Sequence, residues 1–256
     1  MYDLVITNGK LVTPDRIYEA DIAVKDGVYA AFLAKGSQAA AKEVIDAKGC
    51  YIYPGIIDCH AHLNEPGFEY REDFETGSRA AAAAGCTCLI DMPLNNDPSL
   101  MNKEIFDLKM GRISKHSYVD FALWGGAIAG GNSHIGELCG LGCIAFKGFT
   151  LDAGPEFKWL DHQQQKDAMD EVKKHGRILG FHAEDENIIS ELKERFQDGP
   201  WNLRLHDMAR PWYAEMIAVQ NAVILSKASG CPLHICHLSI PEGAELIKKA
   251  KAEGVD

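Results

Sequence analysis

Beyond Tyr51 the chain changes rhythm, and that change limits the folds open to it more than any other feature. Short apolar runs alternate with longer amphipathic segments: Ile52–Asp58 then Phe74–Ala84, Thr87–Met92 then Lys103–Ile113, Val119–Trp124 then Ile135–Leu138. The series continues with Cys143–Lys147 then His162–His175, Ile178–His182 then Asn187–Arg195 and Trp212–Ser229, and Leu233–His237 then Glu242–Ala252. Six strand-like runs, each followed by helix, predict a parallel sheet, because parallel neighbours need a crossover connection and a helix supplies it. Pro211 and Pro241 sit where helices open. Gly85, Gly176, Gly230 and Gly254 sit where helices close in a left-handed residue.

The first fifty residues read differently. Leu4-Val5-Ile6 runs through Asn8-Gly9 into Leu11-Val12, and Ile22-Ala23-Val24 runs through Asp26-Gly27 into Val28–Leu33. Asn-Gly and Asp-Gly between apolar runs are hairpin signals, since both central turn residues need φ > 0. A small antiparallel sheet unit is expected here.

Composition narrows the class. The 256 residues carry a net charge of −11 with no basic cluster, which argues against nucleic acid or an anionic membrane as partner. The longest uncharged apolar runs, such as Cys50–Ile57 and Ala80–Ile90, fall short of the roughly 18 residues a membrane span needs. With no basic segment leading into an apolar one at the N-terminus, no signal peptide is read and a cytoplasmic protein is expected. The eight cysteines include no CxxC pair, so most are expected to be buried, reduced thiols and a cysteine zinc site is not indicated.

The chemistry gathers at the ends of the apolar runs. His60 and His62 stand two apart on one run, so they project to one face. By itself the pair reads equally well as metal ligands or as hydrogen-bonded surface histidines. His182 and His237 close two further runs, and in a βα barrel such strand ends converge on one site. His234, three positions before His237, is placed by strand parity on the opposite face and left out. The histidines at 116, 134, 162, 175 and 206 read as solvated or capping residues. Lys147 ends an apolar run, where an ammonium is costly unless paired or neutralised. Two readings stand for it: a salt bridge at the barrel mouth, or a neutral amine that takes up carbon dioxide as a metal-bridging carbamate.

These residues, with Gly55–His62 running into Leu63-Asn64-Glu65-Pro66-Gly67, Asp91-Met92-Pro93-Leu94-Asn95, Phe181-His182-Ala183-Glu184, Arg210-Pro211 with Glu215, and His234–Ser239, resemble the cyclic amidohydrolases. That family takes in allantoinase, dihydroorotase and hydantoinase, and the resemblance covers essentially the whole chain. It implies an α/β fold: a metal-dependent-hydrolase (β/α)8 TIM barrel, with about six of its eight units in residues 51–256, and part of a small β-sandwich in residues 1–50. It also implies two divalent metal ions, usually zinc. His60 and His62 would bind one, His182 and His237 the other, and a carboxylated Lys147 would bridge them, for metal-assisted attack of water on a ring amide. The catalytic Asp that the resemblance places on an eighth strand would lie beyond Asp256, so the chain is expected to be truncated at its C-terminus.

Asn64 stands where dihydroorotases usually carry a carboxylate-binding Arg, and Asp91–Asn95 looks like allantoinase, whereas Glu69–Asp73 is nearer the dihydroorotase pattern. The favoured reading is hydrolysis of a small ureide, allantoin, to allantoate. Dihydroorotase or hydantoinase activity is the alternative, and a non-catalytic assembly protein or inactive fragment of the same fold is the rival from another class. The resemblance further implies a homo-oligomer, commonly a tetramer.

Overall fold

The computed structural model describes residues 1–196 and 202–256 and divides into two compact units, Met1–Ile56 and Ile57–Asp256. The first unit holds β1 (Tyr2–Thr7), β2 (Lys10–Val12), β3 (Ile17–Glu19), β4 (Asp21–Lys25), β5 (Val28–Leu33), β6 (Ala41–Asp46) and β7 (Tyr51–Ile52). They form two sheets, ordered β5-β4-β1-β6 and β3-β2-β7.

The two turn signals have different outcomes. Asp26-Gly27, at φ 53° and 77°, closes the β4–β5 hairpin with Lys25 opposite Val28. Asn8 is also left-handed at φ 62°, but β1 pairs with β4 and β6 while β2 pairs with β3 and β7, so Asn8-Gly9 carries the chain from one sheet to the other. Glycine is needed there for closeness: a Cβ on Gly9 would lie 2.3 Å from Ile52 Cδ1. Since β1–β6 and β2–β7 run parallel, the unit is mixed and not the antiparallel unit expected. A turn motif reports local dihedrals; the partner of each strand is chosen by residues some forty positions away.

The second unit is the βα succession. Its strands are β8 (Ile56–Ala61), β9 (Cys86–Asp91), β10 (Asp120–Gly126), β11 (Ala145–Phe149), β12 (Ile178–His182) and β13 (Leu233–Ile235). They lie side by side in chain order as one curled parallel sheet, a half-barrel of six strands. The helices are α1 (Phe74–Ala83), α2 (Lys103–Ile113), α3 (Ile135–Leu141), α4 (His162–Lys174), α5 (Glu186–Arg195), α6 (Leu203–Ala209), α7 (Trp212–Ser229) and α8 (Pro241–Ala252). Several begin on an acidic or amide cap that accepts a backbone N–H: Asp73 for α1, Asn102 for α2, Asp185 for α5, and Asp161 for α4, which completes a capping box with Gln164. Helix α6 was not expected.

The core lies between the sheet and its helices. Leu89, Leu123, Phe146, Leu179 and Phe181 from the strands pack with Phe74, Met169, Val172, Val219 and Ala222 from the helices. Alternation along β11 therefore sends Phe146 and Gly148 toward the helices and Lys147 to the other face of the sheet. All eight cysteines are free; four are buried, while Cys50 and Cys59 are exposed, so burial is less general than expected. Among the described residues no helix is long and apolar enough to cross a membrane.

Candidate metal centre

Strand register builds the site. Gly126 on β10 is paired with Lys147 on β11, Lys147 with Gly180 on β12, and Gly180 with His234 on β13. Residues in register across a parallel sheet point to the same face. Lys147 therefore stands between two glycines, with no side chain on either flank. It is 1% exposed, and its Nζ lacks a hydrogen-bond partner; the Phe149 ring, 5.1 Å to the centroid, and the Cys236 thiol are beside it. Burial pushes the amine below its ordinary range, and the thiol only partly opposes this. Among the described residues no carboxylate pairs with it, so the salt-bridge reading of Lys147 has no partner.

The four strand-end histidines converge on this side. His60 lies within β8 and His62 just beyond its end, with ring centroids 5.3 Å apart. His60 is likewise 5.3 Å from His237, which meets His182 edge-on at 4.8 Å. His182 ends β12 and stacks on Phe149 at 5.0 Å and 11°. The rings thus run 62–60–237–182. His60 and His237 are both pushed down to about 4, first by burial and then by the Lys147 charge. Burial also lowers His62. At neutral pH these three imidazoles are uncharged and carry lone pairs, the form a metal requires.

No three His, Cys, Asp or Glu side chains among the described residues already surround one point. The donors come instead as two imidazole pairs around a buried, unpartnered amine. This set fits two cations joined through a modified lysine: histidine nitrogens suit zinc, and a buried Nζ without an acceptor is the atom such a bridge would use.

Two expectations need correcting. β13 ends at Ile235, so His237 does not close the strand but follows it with φ 39°. The left-handed residue breaks the two-residue alternation, and parity counted back from His237 therefore misplaced His234. His234 is in register with Gly180, lies 5.9 Å from the Trp124 ring, and is lowered by burial and by the Lys147 charge, so it shares the lysine's face. Three further residues frame a cleft of about 550 Å³ beside His182 and His237. Glu184 accepts from His182 Nε2 at 2.6 Å and also pairs with Arg210. Burial alone would raise its carboxyl, but His182 and Arg210 together hold it below the usual range. Glu215 accepts from Ser239 N at 2.7 Å, tying down the segment after His237. The sequence motifs contained Glu184, Arg210 and Glu215 but gave them no role, since their partners lie on other elements.

A model of the dihydro-orotase-like family matches residues 49–243. The chain belongs to the dihydro-orotase-like family. An allantoinase of Bacillus velezensis is 39% identical over 257 residues, covering 100% of this chain and 56% of the relative. An allantoinase of Escherichia coli is 34% identical over 262 residues, with 100% and 57% covered. The structure of an L-hydantoinase (dihydropyrimidinase) from Arthrobacter aurescens superimposes with a TM-score of 0.95 at 34% identity, covering 100% of this chain and 57% of that one. The chain thus spans a little over half the length of these family members.

Proposed function

We propose that this dihydro-orotase-like chain carries the metal-binding part of a cyclic amidohydrolase that opens the hydantoin ring of allantoin to give allantoate. The observation that carries the reading is Lys147: a buried, unpartnered amine flanked by glycines and ringed by histidines. His60 and His62 would hold one divalent ion, zinc by preference, His182 and His237 the other, and Lys147 would join them as a carbamate. When bound, such ions supply an activated water and polarise the ring carbonyl.

The chain's own residues prepare that chemistry. Burial weakens the hold of the Lys147 amine on its proton and so favours the neutral form that can attack carbon dioxide; the new N–C bond forms as one proton leaves the nitrogen. Neutral His60 and His237 present lone pairs at working pH. Glu184 orients His182 and engages the guanidinium of Arg210 on the cleft wall. With that charge already paired, the cleft suits an uncharged ureide better than a ring bearing a carboxylate, and the amide at Asn64, in place of a carboxylate-binding Arg, points the same way. Relatives named allantoinase at 33–39% identity support the same substrate. The likeness to L-hydantoinase favours hydantoins as the second reading. Free cysteines suit a reducing cytoplasm, and a homo-oligomer, tetrameric as in the family, belongs to the same proposal.

The test has two arms. Metal analysis should find about two ions per wild-type chain and a loss in His60→Ala; a wild-type chain that takes up none overturns the binuclear reading. Allantoin, dihydroorotate and hydantoin assayed side by side should show allantoin turned over fastest. Turnover of dihydroorotate alone overturns the reading of Asn64 and Arg210.

A further inference from the structure

Behind His62 lies a buried charge pair that the proposed chemistry does not use. Lys109, in α2, and Asp91, the last residue of β9, are 0% and 1% exposed, with Nζ 2.7 Å from Oδ2. Burying two charges is expensive enough that an apolar pair of similar volume often serves stability as well or better. The pair's other contacts show what it holds. Asp91 Oδ1 accepts the N–H of Leu63 at 2.9 Å, the peptide directly after His62. Lys109 Nζ donates to Glu65 O at 2.5 Å and to Asn96 Oδ1 at 3.1 Å. The Asn96 amide donates onward to Met92 O at 3.3 Å and Leu94 O at 3.1 Å. Leu94 O lies 3.5 Å from His62 Nδ1, and Asn95 Nδ2 lies 3.3 Å from the same nitrogen. His62 is gripped twice: through the main chain that follows it, and through its ring by a loop that Asn96 shapes.

We propose that Asp91, Lys109 and Asn96 form a buried clamp that fixes the His62 ring with its proton on Nδ1 and its Nε2 lone pair free for a cation. Leu94 O can only accept and so calls for the Nδ1–H tautomer, whereas the Asn95 carboxamide can turn either its nitrogen or its oxygen toward Nδ1; the carbonyl therefore decides the tautomer, and Asn95 turns its oxygen to it. The Leu94 contact is long, and the carbonyl stays within reach only while Asn96 holds the loop closed. The three are positioning residues: they touch neither ion nor substrate and act through His62, as outer-shell partners of metal-binding histidines do elsewhere. The purpose assigned to the clamp rests on the reading of His62 as a ligand; the clamp itself is a property of the metal-free chain.

Two variants test it. Asn96→Ala removes the link to Leu94 and leaves the ion pair in place. The double variant Asp91→Asn with Lys109→Met removes both charges together, so that neither is left buried alone. The tautomer of His62 is read in the metal-free chain by 15N NMR of the imidazole rings, and metal binding by titration with Co2+ followed in the visible spectrum. Wild type should show a single Nδ1–H tautomer at His62. Asn96→Ala should show exchange between tautomers and bind Co2+ more weakly, on the order of 10- to 100-fold. The double variant should behave likewise, and if it does not fold, Asn96→Ala decides. A retained Nδ1–H tautomer in Asn96→Ala overturns the clamp whatever the Co2+ affinity. If the tautomer is lost in Asn96→Ala while His62→Ala binds Co2+ as wild type does, the clamp stands and the ligand reading of His62 falls.

Discussion

Replacing Lys147 by Met should make the metal-free protein more stable while removing its capacity to hold two ions. The amine is 1% exposed and its Nζ has no hydrogen-bond partner, so the folded state carries the cost of a desolvated, unsatisfied donor, about 1–3 kcal/mol. Methionine has nearly the same length and volume and no polar atom, and such exchanges cost less than about 1.5 kcal/mol in packing. A net gain of about 1–2 kcal/mol raises Tm by roughly 2–8 °C in a chain of this size. The gain should depend on pH. The folded amine has a pKa below its ordinary 10.5, so between the two values the unfolded chain binds the extra proton. Wild-type stability is therefore fullest above pH 10.5 and is lost as the pH falls toward the folded value, whereas the Met variant lacks this slope. Calorimetry on chelator-treated protein at pH 7, 8.5 and 10 measures both effects, with metal content determined in parallel. A Met variant that melts below wild type at pH 7, or whose advantage does not shrink toward pH 10, refutes the picture of an unpartnered, desolvated lysine.

Other predictions follow from the same face of the sheet. A Cβ at residue 180 would lie 2.9 Å from Trp124 Cζ3, and the indole is held by its bond to Cys59 O at 3.3 Å, so Gly180→Ala should cost about 1–3 kcal/mol. Gly140→Ala, in α3 with nothing within 4 Å, should instead add about 0.5–1 kcal/mol; urea melts giving the two variants equal stability would contradict the packing described. His60 and His237 have folded values of about 4 against an ordinary 6.5, so metal-free protein should lose stability as pH falls from 6.5 to 4, and His60→Ala should lose part of that slope. Urea melts at pH 7, 5.5 and 4.5 check this, and a slope unchanged by His60→Ala would count against a buried neutral His60. Glu184→Gln should release the Arg210 charge into the cleft, so that dihydroorotate binds more tightly relative to allantoin; an unchanged ratio would remove Arg210 from the account of specificity.

Much of the molecule is legible without coordinates because its periodicities are local. Each βα step, the left-handed glycines that close helices and the Asp-Gly hairpin follow from dihedral preferences within a few residues. The paired histidines and the apolar run around Lys147 are equally local signals. Lys109 carried one too: a lysine four residues after Ile105 and four before Ile113 lies on the buried face of its helix, though its partner cannot be read from that spacing.

What needed the tertiary structure is what depends on distant residues meeting. Asn8-Gly9 has the dihedral of a hairpin, yet pairing with β7 on one side and β4 on the other makes it a passage between sheets. His234 joined the lysine's face because register across β11, β12 and β13 overrides parity counted through a left-handed His237. The same register sets two glycines beside Lys147, which gives the amine its room and its isolation. The sequence by itself determined which residue types stand at the strand ends, since that is written in alternation along each run. Only the packed sheet decided which of them face one another, because register is set by the whole fold and by no single segment.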